Sequence, residues 1–209
     1  MVKIVQETKT SKLALWGTMF AMSLSVLFYS EIAYLRPSDP LYPHHYSLRW
    51  WLFPHILCGA TALFTGAFQF STRLRKYNPH LHRTLGRVYV IAVLIGAALA
   101  TYIDLTLDYH TNWMVNAGFL SHPFAWGLTA LIAFRTAVTR NFNVHRQWMI
   151  RSYLITFTFV LVRFPNPIRY WRELSDPDFS ILLPLLIFLC YIGADLFLNW
   201  KEVATKRAA

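Results

Sequence analysis

A chain of 209 residues, 56% hydrophobic and only 14% charged, has too little polar surface to wrap a soluble core of its own size. The formal charge of +10 does not point to nucleic acid, because the basic residues alternate with apolar stretches and form neither a patch nor a nucleic-acid motif. A bilayer supplies the missing apolar solvent, and the sequence reads as an all-α integral membrane bundle of about six transmembrane helices in one domain, 1–209.

In chain order, the expected spans are Leu13 to Leu35, Trp51 to Thr72, Pro79 to Leu105, Ser121 to Val138, Gln147 to Arg163 and Ile181 to Trp200. Lys3, Lys9 and Lys12 precede the first span as they would a secretory signal, but the apolar run is too long for one and shows no small-residue cleavage site. Between spans, Lys and Arg collect on one side: the amino terminus, then Arg73, Arg75, Lys76 and Arg83, then Arg140 and Arg146, then Lys201, Lys206 and Arg207. The opposite segments carry Arg36, Arg49, Arg163, Arg169 and Arg172, diluted by acidic residues, so the expected topology is multi-pass with both termini cytoplasmic. Trp50, Trp51, Trp113, Trp171 and Trp200 fall at span edges, where an aromatic belt forms. Cys58 and Cys190 sit in different apolar stretches and read as packing residues rather than a redox pair.

A weak internal repeat carries the chemistry. Pro54-His55 opens one helix, and after the turn comes N-x-x-x-H-R from Asn78 through His82 to Arg83, with Arg87 beyond. His122-Pro123 opens another helix, and after the turn comes the same pattern from Asn141 through His145 to Arg146, with Arg151 beyond. Each Asn is a natural N-cap, and Pro79 suits the first helical position. The four histidines therefore read as two levels of two near helix ends, His55 with His122 and His82 with His145, within a four-helix core of about residues 50–165. Two axial imidazoles facing each other at one depth are what a b-type haem needs, with cations for its propionates. Arg83, Arg87, Arg146 and Arg151 are the candidates at the inner level and Arg163 at the outer one.

This order of histidines on four consecutive helices resembles the di-haem transmembrane cytochrome b reductases, which include ascorbate-dependent and ferric reductases. The resemblance implies a ligand role for His55, His82, His122 and His145; the leading expectation is a b-type cytochrome with two haems b that passes electrons across the membrane as an oxidoreductase, with donor and acceptor open among a quinol, ascorbate and a ferric chelate. The stretches N-x-x-x-H-R-x-x-G-R from Asn78 to Arg87 and H-R-x-W-M-x-R from His145 to Arg151 also resemble an uncharacterised bacterial family of small predicted membrane proteins, which implies an inner-membrane location.

The bland readings stand beside these. A single histidine at a membrane edge is commonly an interfacial or capping residue, and His-Arg at a helix start is what lipid phosphates and cytoplasmic orientation select. His44, His45, His80 and His110 read as loop residues; Glu31, Asp104 and Asp195 lie in or at the end of apolar spans, where each needs an Arg partner or access to water. Gly59, Gly66, Gly86, Gly96, Gly118 and Gly127 read as sites of close helix contact. The alternative to a cytochrome is a non-catalytic subunit of a larger respiratory or photosynthetic complex, packed against other membrane subunits and binding lipid or quinone.

Overall fold

The computed structural model describes residues 9–32, 48–106, 112–168, 171 and 173–206. Its helices are α1 (Lys9–Val26, continued by a π-helical turn, Leu27–Glu31), α2 (Arg49–Gln69), α3 (Thr72–Tyr77), α4 (Pro79–Thr106), α5 (Trp113–Val138), α6 (Phe142–Arg163) and α7 (Asp176–Lys206). The expected all-helical membrane bundle is what forms. Four of these helices, α2, α4, α5 and α7 over Pro177–Trp200, are long and apolar enough to cross a bilayer by length and composition.

The expected spans in α1 and α6 do not reach that measure, and for α6 the reason is where it sits. It packs on α1, α2, α5 and α7, and Ser152, Tyr153, Thr156 and Thr158 are all buried on it. A helix ringed by protein has little lipid to face, so its hydropathy is lowered by the polar side chains it turns inward. Helix α5 starts at Trp113 instead of Ser121, because the Asn112 side chain accepts from Met114 N (3.0 Å) and caps it there. Pro123, expected at a helix start, thus lies inside α5, as Pro54 lies inside α2.

Helices α2 and α4 pack side by side, joined by the short α3, and α5 and α6 form a second hairpin. Contacts of α4 with α5 and of α2 with α6 close the four into a ring. Both hairpins are antiparallel: His55 near the start of α2 meets Gly96 late in α4, and His145 at the start of α6 meets Ala133 late in α5.

Midway along the bundle the four helices meet in one polar and aromatic layer. Thr156 Oγ1 donates to Ser152 O (3.0 Å), and so accepts from Trp126 Nε1 (2.9 Å) and from Tyr89 Oη (2.9 Å). Ser152 Oγ then supplies the donor to Tyr89 Oη at 2.7 Å, and Tyr153 Oη donates to Leu63 O at 3.2 Å. Tyr89, Ser152 and Thr156 are all buried, so their hydroxyls depend on one another, on Trp126 Nε1 and on Ser152 O for their hydrogen bonds. Tyr89→Phe removes the central member. It is expected to lower stability by about 1–2 kcal/mol in a denaturing-detergent titration with helix content unchanged; no loss would mean that side-chain packing alone holds this layer.

Glycine behaves as expected at three of six positions. A Cβ on Gly66 would come within 2.6 Å of the Tyr153 ring, one on Gly96 within 3.0 Å of Trp126, and one on Gly118 within 2.2 Å of Ser180 O. At Gly86 only the end of the Gln69 side chain is close (3.2 Å), Gly127 has ordinary clearance, and Gly59 faces open space, so it serves no close contact.

Candidate functional site

The internal repeat is also a structural repeat. His82 and His145 are equivalent residues in the first turns of α4 and α6. Asn78 Oδ1 accepts from Leu81 N (3.0 Å) and Asn141 Oδ1 from Val144 N (3.4 Å), while the two Asn carbonyls accept from His82 N and His145 N. The two rings lie within electrostatic reach of each other across the bundle. His145 Nδ1 is 2.8 Å from Ala133 O; a carbonyl only accepts, so Nδ1 carries the proton and Nε2 presents its lone pair. His82 Nδ1 is buried and has no hydrogen-bond partner.

At the other end His55 and His122 come together in the same way, also within electrostatic reach of each other. His55 Nδ1 donates to Gly96 O at 2.9 Å, again leaving Nε2 open. His122 differs. Thr158 Oγ1 gives its proton to Ile155 O (2.6 Å) and therefore accepts from His122 Nε2 (2.9 Å), and the Ile155 backbone is a second hydrogen-bond partner of the same ring, so His122 is held on α6 by two groups. Neither histidine of this pair is terminal: His55 lies in the second turn of α2, and His122 lies well inside α5, which begins at Trp113. Along α6, thirteen residues separate His145 from Thr158, so the two pairs are about 20 Å apart at 1.5 Å per residue.

The middle layer fills the space between them. His82, Tyr89 and Gly96 follow one another at intervals of seven on α4, and His145, Ser152, Thr156 and Arg163 at seven, four and seven on α6, spacings that keep each set on one helix face. Trp126 lies against Gly96 and beside the His122 ring (centroids 6.2 Å apart). The hydroxyl stripe at Ser152 and Thr156, four apart in an apolar helix, is the sequence signal that would have found this layer.

The arginines divide. Arg163 is half-buried at the His55–His122 end, within electrostatic reach of both rings and of Asp104, with its Nε 3.8 Å from the buried Glu31 Oε1. Arg83, Arg87 and Arg146 are exposed on the first turns beside the other pair. Arg151 is held by Asp195 of α7 and lies over the Trp148 ring at 5.3 Å, so Asp195 has the Arg partner its position in an apolar span requires. His80 is exposed, and His44, His45 and His110 lie outside the described residues. Cys58 and Cys190 are free thiols, half-buried in separate helices.

Two imidazoles at each level do not make a site for a bare metal ion, which takes three or four protein ligands, and no group of three or more His, Cys, Asp or Glu occurs among the described residues. They do match the axial donor set of a haem, whose macrocycle fills the remaining positions. The carbonyl-anchored rings of His55 and His145, with Nε2 turned away from the anchor, have the outer-shell hydrogen bond that a ligating histidine normally makes. The unpartnered Nδ1 of His82 also fits, and His122 fits once its ring leaves Thr158 and the Ile155 backbone.

No curated protein and no solved structure matches the chain. A family model described as "Predicted membrane protein (DUF2306)" matches residues 52–199, a span that takes in both histidine pairs, the middle layer and most of α7. The chain therefore belongs to the DUF2306 family of predicted membrane proteins.

Proposed function

We propose that this protein carries electrons across a membrane as a b-type di-haem cytochrome, with His55 and His122 holding one haem and His82 and His145 the other. The observation that carries the reading is the pairing: residues 67 and 63 apart in sequence lie within electrostatic reach of each other, two by two, at opposite ends of one four-helix core. Haem b would supply a one-electron carrier at each level. The chain's own part is to orient the imidazoles through Gly96 O and Ala133 O, to exclude water with the Tyr89, Trp126 and Tyr153 layer, and to offset propionate charge. Arg163 is placed for that last role at one end. Arg83, Arg87 and Arg146 are placed for it at the other, since Arg151 is already engaged by Asp195.

The excess of Lys and Arg at the His82–His145 end supports a cytoplasmic position for that end and for both termini, as in a bacterial inner membrane. Electrons would thus pass between a donor such as quinol or ascorbate on one side and a one-electron acceptor such as a ferric chelate on the other.

The test is a reduced-minus-oxidised absorption spectrum of the detergent-purified chain, with haem quantified as the pyridine haemochrome. A b-type spectrum with about two haems per chain is expected. A colourless, well-folded protein would overturn the reading and favour the non-catalytic subunit.

A further inference from the structure

Buried carboxylates in a membrane bundle are costly unless paired, and paired ones persist through tight hydrogen-bonded geometry. Arg151 and Asp195 form a closed pair in this chain, with the Asp195 carboxylate at the exposed surface of α7. Glu31 and Arg163 do not. The Glu31 side chain is 2% exposed, its Oε1 has no hydrogen-bond partner, and Arg163 Nε stands off at 3.8 Å while the arginine side chain is 31% exposed. The pair therefore runs from the bundle surface to an interior oxygen that is left without a donor.

This geometry is built rather than incidental. Glu31 ends the π-helical turn Leu27–Glu31, which buries Ser30 and Glu31 together; such turns are rare and concentrate at functional sites. Ser30 Oγ donates to Arg163 O (3.4 Å) and accepts from Asn166 Nδ2 (3.2 Å), tying the turn to the end of α6. Among the described residues the charged group that faces Glu31 is Arg163 of α6, and around Arg163 stand His55 of α2, Asp104 of α4 and His122 of α5.

We propose that Glu31 is the proton acceptor for a hydroxylic electron donor, a quinol or an enediol, that binds at Arg163. The inference rests on the electron-transfer reading above. Arg163 donates to a donor oxygen, and the donor hydroxyl faces Glu31 Oε1. For each electron, one donor O–H bond breaks, its proton forms the carboxyl O–H of Glu31, and the electron enters the protein at the His55–His122 end. Glu31 then gives its proton to water at the membrane surface, past the partly exposed Arg163. A second such step completes the two-electron, two-proton oxidation of quinol to quinone; an enediol that arrives as its monoanion, as ascorbate does, gives its one remaining O–H proton with the first electron and only an electron in the second step, forming the diketone. The two electrons leave singly at the far end to a one-electron acceptor such as a ferric chelate.

The experiment compares the full-length wild type with E31Q and E31D in stopped-flow reduction by decylubiquinol, by ascorbate, and by dithionite as a donor that needs no proton acceptor. E31Q is expected to keep its spectrum and its dithionite rate while the rate with one or both hydroxylic donors falls about 100-fold, with partial recovery in E31D. A loss confined to decylubiquinol assigns a membrane quinol, and one confined to ascorbate a water-soluble enediol. Infrared difference spectra recorded between two pH values give a readout independent of turnover: a carboxyl C=O band in the wild type, absent from E31Q and shifted in E31D. A coloured E31Q reduced by both donors at the wild-type rate overturns the inference and leaves the cytochrome reading standing. A colourless wild type overturns that reading and the inference with it. Should E31Q fail to fold, the absence of a pH-dependent carboxyl band that moves in E31D overturns the inference.

Discussion

His145→Ala is expected to remove one of the two haems and leave the other, halving the haem content of a chain that still folds. The ring contributes one anchored nitrogen, Nδ1 to Ala133 O, and one open nitrogen, Nε2, within electrostatic reach of His82. Alanine removes both, and one remaining imidazole holds a six-coordinate b-type haem poorly. His55→Ala should do the same at the opposite end, where the ring is anchored on Gly96 O. Because the pairs stand about 20 Å apart, the two losses should be independent: each single variant keeps about half the haem, and the double variant keeps none. Thr158→Val refines the picture, since it removes the hydroxyl that now accepts from His122 Nε2 and leaves the Ile155 backbone as the ring's remaining partner on α6. If His122 is a ligand, that change preserves haem or raises its occupancy; if His122 is only a satisfied core histidine, it destabilises the bundle and affects no spectrum. Haem content unchanged in both alanine variants would show that the histidines serve packing and capping alone.

The repeat was the readable part of the site because it is a local pattern. Asn78 and Asn141 cap the helices they precede, and a cap four residues ahead of a histidine fixes that histidine's depth without any knowledge of the tertiary fold. The pairing across the bundle follows from hairpin order, which short connections such as α3 enforce. The start of helix α5 is obscured in the sequence because Pro123 looks like a first-turn residue, whereas a proline inside a membrane helix is tolerated when neighbouring helices satisfy the freed carbonyl. The other omissions are long-range. Nothing local in Arg151 predicts a partner 44 residues away on α7, and the orphaned oxygen of Glu31 depends on a π-turn meeting the far end of α6. Tyr89 and Trp126 resemble any other aromatic in an apolar stretch until Thr156 is placed between them. Even so, the polar stripe on α6 was in view, and it marks that helix as the one turned toward protein rather than lipid.

Gly118→Ala is expected to be the most disruptive single-methyl change in the chain, lowering stability by about 3 kcal/mol, the upper part of the usual cost of overpacking a tight contact. The added Cβ would stand 2.2 Å from Ser180 O and 2.8 Å from its carbonyl carbon. These are backbone atoms, so no rotamer change relieves the clash, and α5 and α7 must separate. At Gly66 the obstructing atoms belong to the Tyr153 and Tyr89 rings, which can tilt, so Gly66→Ala should cost less. Gly59→Ala is the control: nothing lies within 4 Å of its Cβ, and the gain in helix propensity makes it neutral or stabilising by up to about 1 kcal/mol. Thermal unfolding in mild detergent ranks the three, and a Gly118→Ala midpoint equal to that of Gly59→Ala would mean that α7 is not seated on α5 at Ser180. Gly118 also lies one turn before His122 on the same face of α5, so forcing α5 off α7 displaces the ring that pairs with His55. Below its unfolding temperature, Gly118→Ala should therefore lose haem first from the His55–His122 end while His82 and His145 keep theirs, a selectivity that general destabilisation would not produce.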